Sequence, residues 1–151
     1  MSSFEYISYK VIPLDKEQTL SKLYRFREID KYRTFYKILP AVIHSSLEDR
    51  NIISDLLDES CKRLLQLFKG DKKPHKASLK KAINDCMKKV TIANVQPVNK
   101  DFAIELCWYL SDIAGLEMRK ASYKTDWGYW DGTATAVKPP TAAVKKKRPE
   151  Q

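Results

Sequence analysis

The chain has 151 residues, 43% of them hydrophobic, which is the size of one ordinary domain with enough apolar material for a single core. It carries 28 Lys and Arg against 19 Asp and Glu, a formal net charge of +9. No apolar run reaches the roughly 18 residues of a membrane span, and Met1-Ser2-Ser3-Phe4-Glu5 lacks the charged and apolar regions of a signal peptide, so a cytoplasmic protein with no membrane partner is expected.

Along the chain, Phe4 to Ile12 alternates in part (Phe4, Tyr6, Tyr9, Val11) before Pro13. With no clear partner strand in view it reads as an extended N-terminal arm. Asp15 is placed to cap a helix through Leu20, Leu23, Tyr24 and Arg27 that continues to Leu39 and stops at Pro40. Its apolar stripe drifts at Glu28–Asp30, where a break into two helices fits. Tyr24, Phe26, Tyr32, Phe35 and Tyr36 predict an aromatic packing side opposite solvated Arg and Lys.

Ser46-Leu47-Glu48-Asp49 has the form of a capped start, with Asp49 facing first-turn amides. Apolar residues then recur at Ile53, Leu56, Leu57, Cys61, Leu64, Leu65 and Phe68, one face of a helix that ends at Lys69-Gly70. After a loop at Asp71–His75, Leu79, Ala82, Ile83, Cys86, Met87 and Val90 form the inner face of another helix. Thr91–Val98 lacks a period and contains Pro97, so it reads as a loop. Asn99 is the expected N-cap of a last helix with Phe102, Ala103, Leu106, Cys107, Leu110, Ile113 and Ala114 inside, ended by Gly115 with Leu116 folding back. The three cysteines, Cys61, Cys86 and Cys107, form no C-x-x-C pair and sit within these apolar faces, which predicts buried free thiols.

The fold expected from this pattern is all-α: a compact bundle of four or five helices in one domain over residues 1–131, with the extended arm at its start. From Gly132 to Gln151 the composition turns to Thr, Ala, Val, Pro and Lys, which predicts a flexible, disordered basic tail. The run Ala103-Ile104-Glu105-Leu106-Cys107-Trp108-Tyr109-Leu110-Ser111-Asp112-Ile113-Ala114-Gly115-Leu116-Glu117, followed by Trp127-Gly128-Tyr129, resembles the end of a small bacterial helical family known only as a domain of unknown function. The resemblance spans about residues 50–131, with Met118-Arg119-Lys120-Ala121-Ser122 standing where the family has a Ser-x-Gly and a Leu-Asn pair. It implies a helical fold and carries no activity with it.

Function is less legible. Asp126, Trp127, Tyr129, Trp130 and Asp131 crowd two Trp, a Tyr and two carboxylates into a few residues. They read either as a cover for the open end of the bundle or as a binding patch for a protein partner. The positive charge is concentrated: residues 69–90 hold eight Lys against Asp71 and Asp85, and the tail holds Lys145-Lys146-Lys147-Arg148. Lys72, Lys73, Lys80, Lys81, Lys88 and Lys89 are candidate phosphate contacts, yet no Arg or aromatic residue is interleaved to read or stack bases, and a solvated helix face explains them equally. Glu48, Asp49, Asp55, Asp58 and Glu59 form a matching acidic stretch, expected on the outer side of their helix.

His44 and His75 have no second ligand at helical spacing, and His44-Ser45-Ser46 are adjacent in sequence without converging, so neither a metal site nor a nucleophile is expected. The reading is a non-catalytic bacterial binding protein without a cofactor, of the immunity or antitoxin kind, that occludes a toxin or effector. The alternative is a nucleic-acid-associated accessory protein.

Overall fold

The computed structural model describes residues 6–118, 122–123 and 134–137. Five α-helices follow a first strand: β1 (Tyr6–Val11), α1 (Lys16–Glu28), α2 (Lys31–Phe35), α3 (Leu47–Phe68), α4 (Lys76–Ile92) and α5 (Pro97–Ile113), then the short strands β2 (Ser122–Tyr123) and β3 (Ala134–Val137). The architecture is the expected all-α bundle, with α3 as its axis packed against α1, α4 and α5.

The aromatic segment packs in part as its pattern predicts, with Tyr36 partly buried and Tyr24 left 40% exposed. Phe26, Tyr32 and Phe35 are buried, with Phe35 and Tyr109 rings 5.3 Å apart and Tyr32 against Phe102 at 4.7 Å. Asp15 caps α1 in a reciprocal box, accepting from Gln18 N at 2.8 Å while Gln18 Oε1 accepts from Asp15 N. The break at Glu28–Asp30 is real, because Asp30 turns its carboxylate to Arg33 N and starts α2. The helix does not continue to Leu39. It gives way after Phe35 to two 3₁₀ turns, Tyr36–Ile38 and Pro40–His44, since Pro40 forces Leu39 out of the helical region.

Ser46 caps α3, accepting from Asp49 N, and the apolar face of α3 is buried as predicted, with Leu56 and Phe68 packed at its margin. At the other end of the bundle core, Gly115 adopts φ +78° and lets Leu116 N reach back to Ser111 O at 2.9 Å, which buries Leu116.

Two expectations change around the α4–α5 turn. The predicted loop Thr91–Val98 shrinks to Ala93–Gln96, because Pro97 opens α5 as its first residue, where a missing N–H and a fixed φ fit a helix start. Asn99 is therefore not the N-cap; Gln96 is, and Asn99 lies fully buried inside the first turn. The arm also gains partners. β1 is the middle strand of an antiparallel sheet ordered β2-β1-β3, with Tyr6 opposite Tyr123 and Val11 opposite Ala134. Four residues of the predicted tail, Ala134–Val137, thus pair with the arm, and the rest of that tail lies outside the described residues.

Candidate functional site

The first turns of α3 and α5 meet at one end of the bundle, and a single carboxylate joins them. Asp49 Oδ2 accepts from Gln96 N at 3.0 Å and from Asn99 Nδ2 at 3.2 Å, and Asn99 Oδ1 accepts from Tyr32 Oη at 2.7 Å. Asp49 is buried, so its expected place on the outer acidic side is corrected. It supplies across the bundle what a capping-box carboxylate supplies within one helix, and its charge lies near two helix N-termini at once. Arg50 stands over the Tyr32 ring at 5.5 Å and donates to Ile43 O and Ser45 O, which fixes the segment leading into α3.

Burial, then the charge of Asp49, hold the Tyr32 phenol well above its ordinary value of 10.0, with Arg50 opposing them. Burial likewise pushes the Cys61 thiol, which donates to Leu23 O, up to about 12. Both groups bind their protons more tightly in the folded chain than in the unfolded one. Their contribution is complete below their unfolded values and is lost as pH rises through them towards the folded ones. Denaturant unfolding followed against pH should show stability declining from about pH 9, where the unfolded Cys61 thiol ionises, and more steeply above pH 10, and Tyr32→Phe should start lower but lose the steeper part. Parallel curves for the two chains would refute the assignment to Tyr32.

The charged faces of α3 and α4 are interlocked. Arg63 Nη1 bonds Asp85 Oδ2 at 2.8 Å, Lys81 joins the same carboxylate at 3.2 Å, and Lys89 pairs with Glu59 at 3.3 Å. These bonds hold Asp85 below the usual carboxylate range, the Arg63 hydrogen bond first among the causes. The six candidate lysines consequently do not share one role. Lys81 and Lys89 turn to acids on their own groove, whereas Lys80 and Lys88 are exposed on α4 and Lys72 and Lys73 on the preceding loop. Of the acidic stretch, Asp58 faces the buried ammonium of Lys31, Glu59 faces Lys89, and Glu48 and Asp55 are exposed.

Lys31 was not visible as a special residue in the sequence. It is 2% exposed, and its Nζ donates to Phe26 O at 2.8 Å and reaches Ile29 O and Arg27 O, closing the carbonyl end of α1. The only sequence signal was its position just after the break.

Three large apolar side chains stay on the surface towards the end where α3 begins: Ile43 at 54%, Leu47 at 73% and Ile92 at 82% exposure. The cassette Asp126, Trp127, Tyr129, Trp130 and Asp131 lies outside the described residues. His44 ends the second 3₁₀ turn and His75 is the N-cap of α4, both exposed, and the Ser46 hydroxyl is committed to Asp49 N. Among the described residues, no set of three or more His, Cys, Asp or Glu is placed to hold a metal ion, and no helix is long and apolar enough to cross a membrane. Comparison of the chain with protein-family models, curated proteins and solved structures finds no match in any of the three.

Proposed function

We propose that the chain is a non-catalytic, cytoplasmic bacterial binding protein of the immunity or antitoxin kind, which blocks a protein partner by stoichiometric occlusion. The observation that carries the reading is the contrast at the α3 end of the bundle. Ile43, Leu47 and Ile92 remain exposed on a frame fixed by the Asp49 and Arg50 hydrogen bonds. Apolar side chains on a rigid frame are what a protein interface exploits, since they lose little freedom on docking. The Trp127 and Trp130 cassette adds, on its sequence, the residue types that dominate binding energies. Kinship with the small bacterial helical family that the 103–117 run resembles belongs to the same proposal.

The partner should be the product of a neighbouring reading frame that carries a toxin or secretion domain. In titrations against that purified product, Trp127→Ala with Trp130→Ala should weaken binding by about 2–4 kcal/mol. Leu47→Ser with Ile92→Ser should weaken it by a smaller amount. Unchanged affinity in both double mutants would refute occlusion through these surfaces. The alternative, a nucleic-acid accessory protein, draws on exposed Lys72, Lys73, Lys80 and Lys88. It requires a gel shift with duplex or single-stranded nucleic acid that collapses steeply as salt rises.

A further inference from the structure

α4 and α5 bring two cysteines together that lie 21 residues apart, with Cys107 Sγ donating to Cys86 Sγ at 3.5 Å. Both thiols are free, and closing them to a disulfide requires an approach of about 1.5 Å, the difference between that contact and a bond of about 2.05 Å. The two differ in access. Cys86, itself only 3% exposed, lines an open groove of about 320 Å³ between α3 and α4, beside Ser60, Arg63 and Lys89, whereas Cys107 has no exposure.

We propose that Cys86 and Cys107 form a redox-active dithiol at the floor of this groove, with Cys86 as the attacking sulfur, Cys107 as the resolving one, and a hydroperoxide as the oxidant. The Cys86 thiolate attacks the outer oxygen of the peroxide: an S–O bond forms, the O–O bond breaks, and the alcohol or water leaves with a proton. The Cys107 sulfur then attacks Cys86 Sγ, forming the S–S bond and breaking the S–O bond, and the oxygen departs as water with the Cys107 proton. Two thiols are oxidised and one peroxide is reduced, so two electrons are exchanged.

The surroundings favour this assignment of roles. The Cys107 hydrogen bond lowers the Cys86 thiol below its ordinary value against the opposing effect of burial, with help from Ser60 and Lys89, and the same hydrogen bond raises Cys107. Ser60 Oγ, buried and without a hydrogen-bond partner, lines the same groove as the Cys86 sulfur. Cys61 is set apart by its bond to Leu23 O.

The test treats the native full-length chain with hydrogen peroxide, alkylates the remaining thiols after denaturation, and reads intact mass and a peptide map. The wild type should lose the mass of two hydrogens, join the Cys86 and Cys107 peptides, and leave Cys61 open to alkylation. Cys107→Ala should instead accumulate a Cys86 sulfenic acid captured by a cyclic 1,3-dione, whereas Cys86→Ala should give no capture at Cys107. Three alkylated thiols after peroxide treatment of the wild type, or a link through Cys61, would overturn the proposal. Because the mass and map need no variant, the result stands even where a substitution unfolds the bundle.

Discussion

Lys31→Met should lower the unfolding free energy by about 3–5 kcal/mol, the range for removing one partner of a buried, hydrogen-bonded ionic group. The substitution keeps volume and removes the ammonium, so Phe26 O, Arg27 O and Ile29 O lose their donor in a place that water does not reach freely. The contact with the Phe26 ring at 4.8 Å is lost with it. Asp58, 37% exposed, regains solvent when Lys31 is gone, and its side of the pair is weakened by screening. Asp58→Asn should therefore cost only about 1 kcal/mol or less. Urea midpoints with an unchanged slope would measure both. Equal costs would show that the ion pair, and not the closure of α1, is what Lys31 contributes.

Asp49→Ala is expected to cost about 3 kcal/mol, since it deletes a charged acceptor of two hydrogen bonds and leaves the buried Asn99 amide and the part-buried Gln96 N–H without partners. The damage should be local first. Amide exchange at Gln96 and through the first turn of α5 should accelerate ahead of exchange in α3. Asp49→Asn should cost about half as much, because an amide oxygen standing where Oδ2 stands can still accept both bonds but is a neutral, weaker acceptor than the carboxylate. A cycle combining Asp49→Ala with Asn99→Ala should show a coupling of about 1–2 kcal/mol, as expected for residues in one network. Additive costs would mean that the two side chains stabilise the turn independently.

The parts of the fold that could be read from the sequence are those decided by near neighbours. The face from Ile53 to Phe68, the Ser46 cap and the Gly115 stop are all settled within a turn or two of the residues concerned. Asn99 misled because cap preference is a local statistic, and Asp49, which completes the start of α5, is 47 positions away from Gln96. The lysine face misled for a related reason: Lys89 looked equivalent to Lys80 and Lys88 until α3 placed Glu59 beside α4, whereas Lys81 pairs with Asp85 four residues along its own helix. The sheet was out of reach, because strands of two and four residues leave no alternation to detect. Cys86 and Cys107 were each recognisable as core thiols, but their adjacency depends on how α4 and α5 rotate against one another.

β1 stands between two strands that both follow α5, and this order governs how the molecule matures during synthesis. The ribosome delivers Tyr6–Val11 first and its partners last, so the helices, whose contacts run largely between neighbours along the chain, can assemble while the strand waits. Zipping of the sheet is the closing event. Until then a naked ladder of backbone donors and acceptors is open to capture by a second nascent copy.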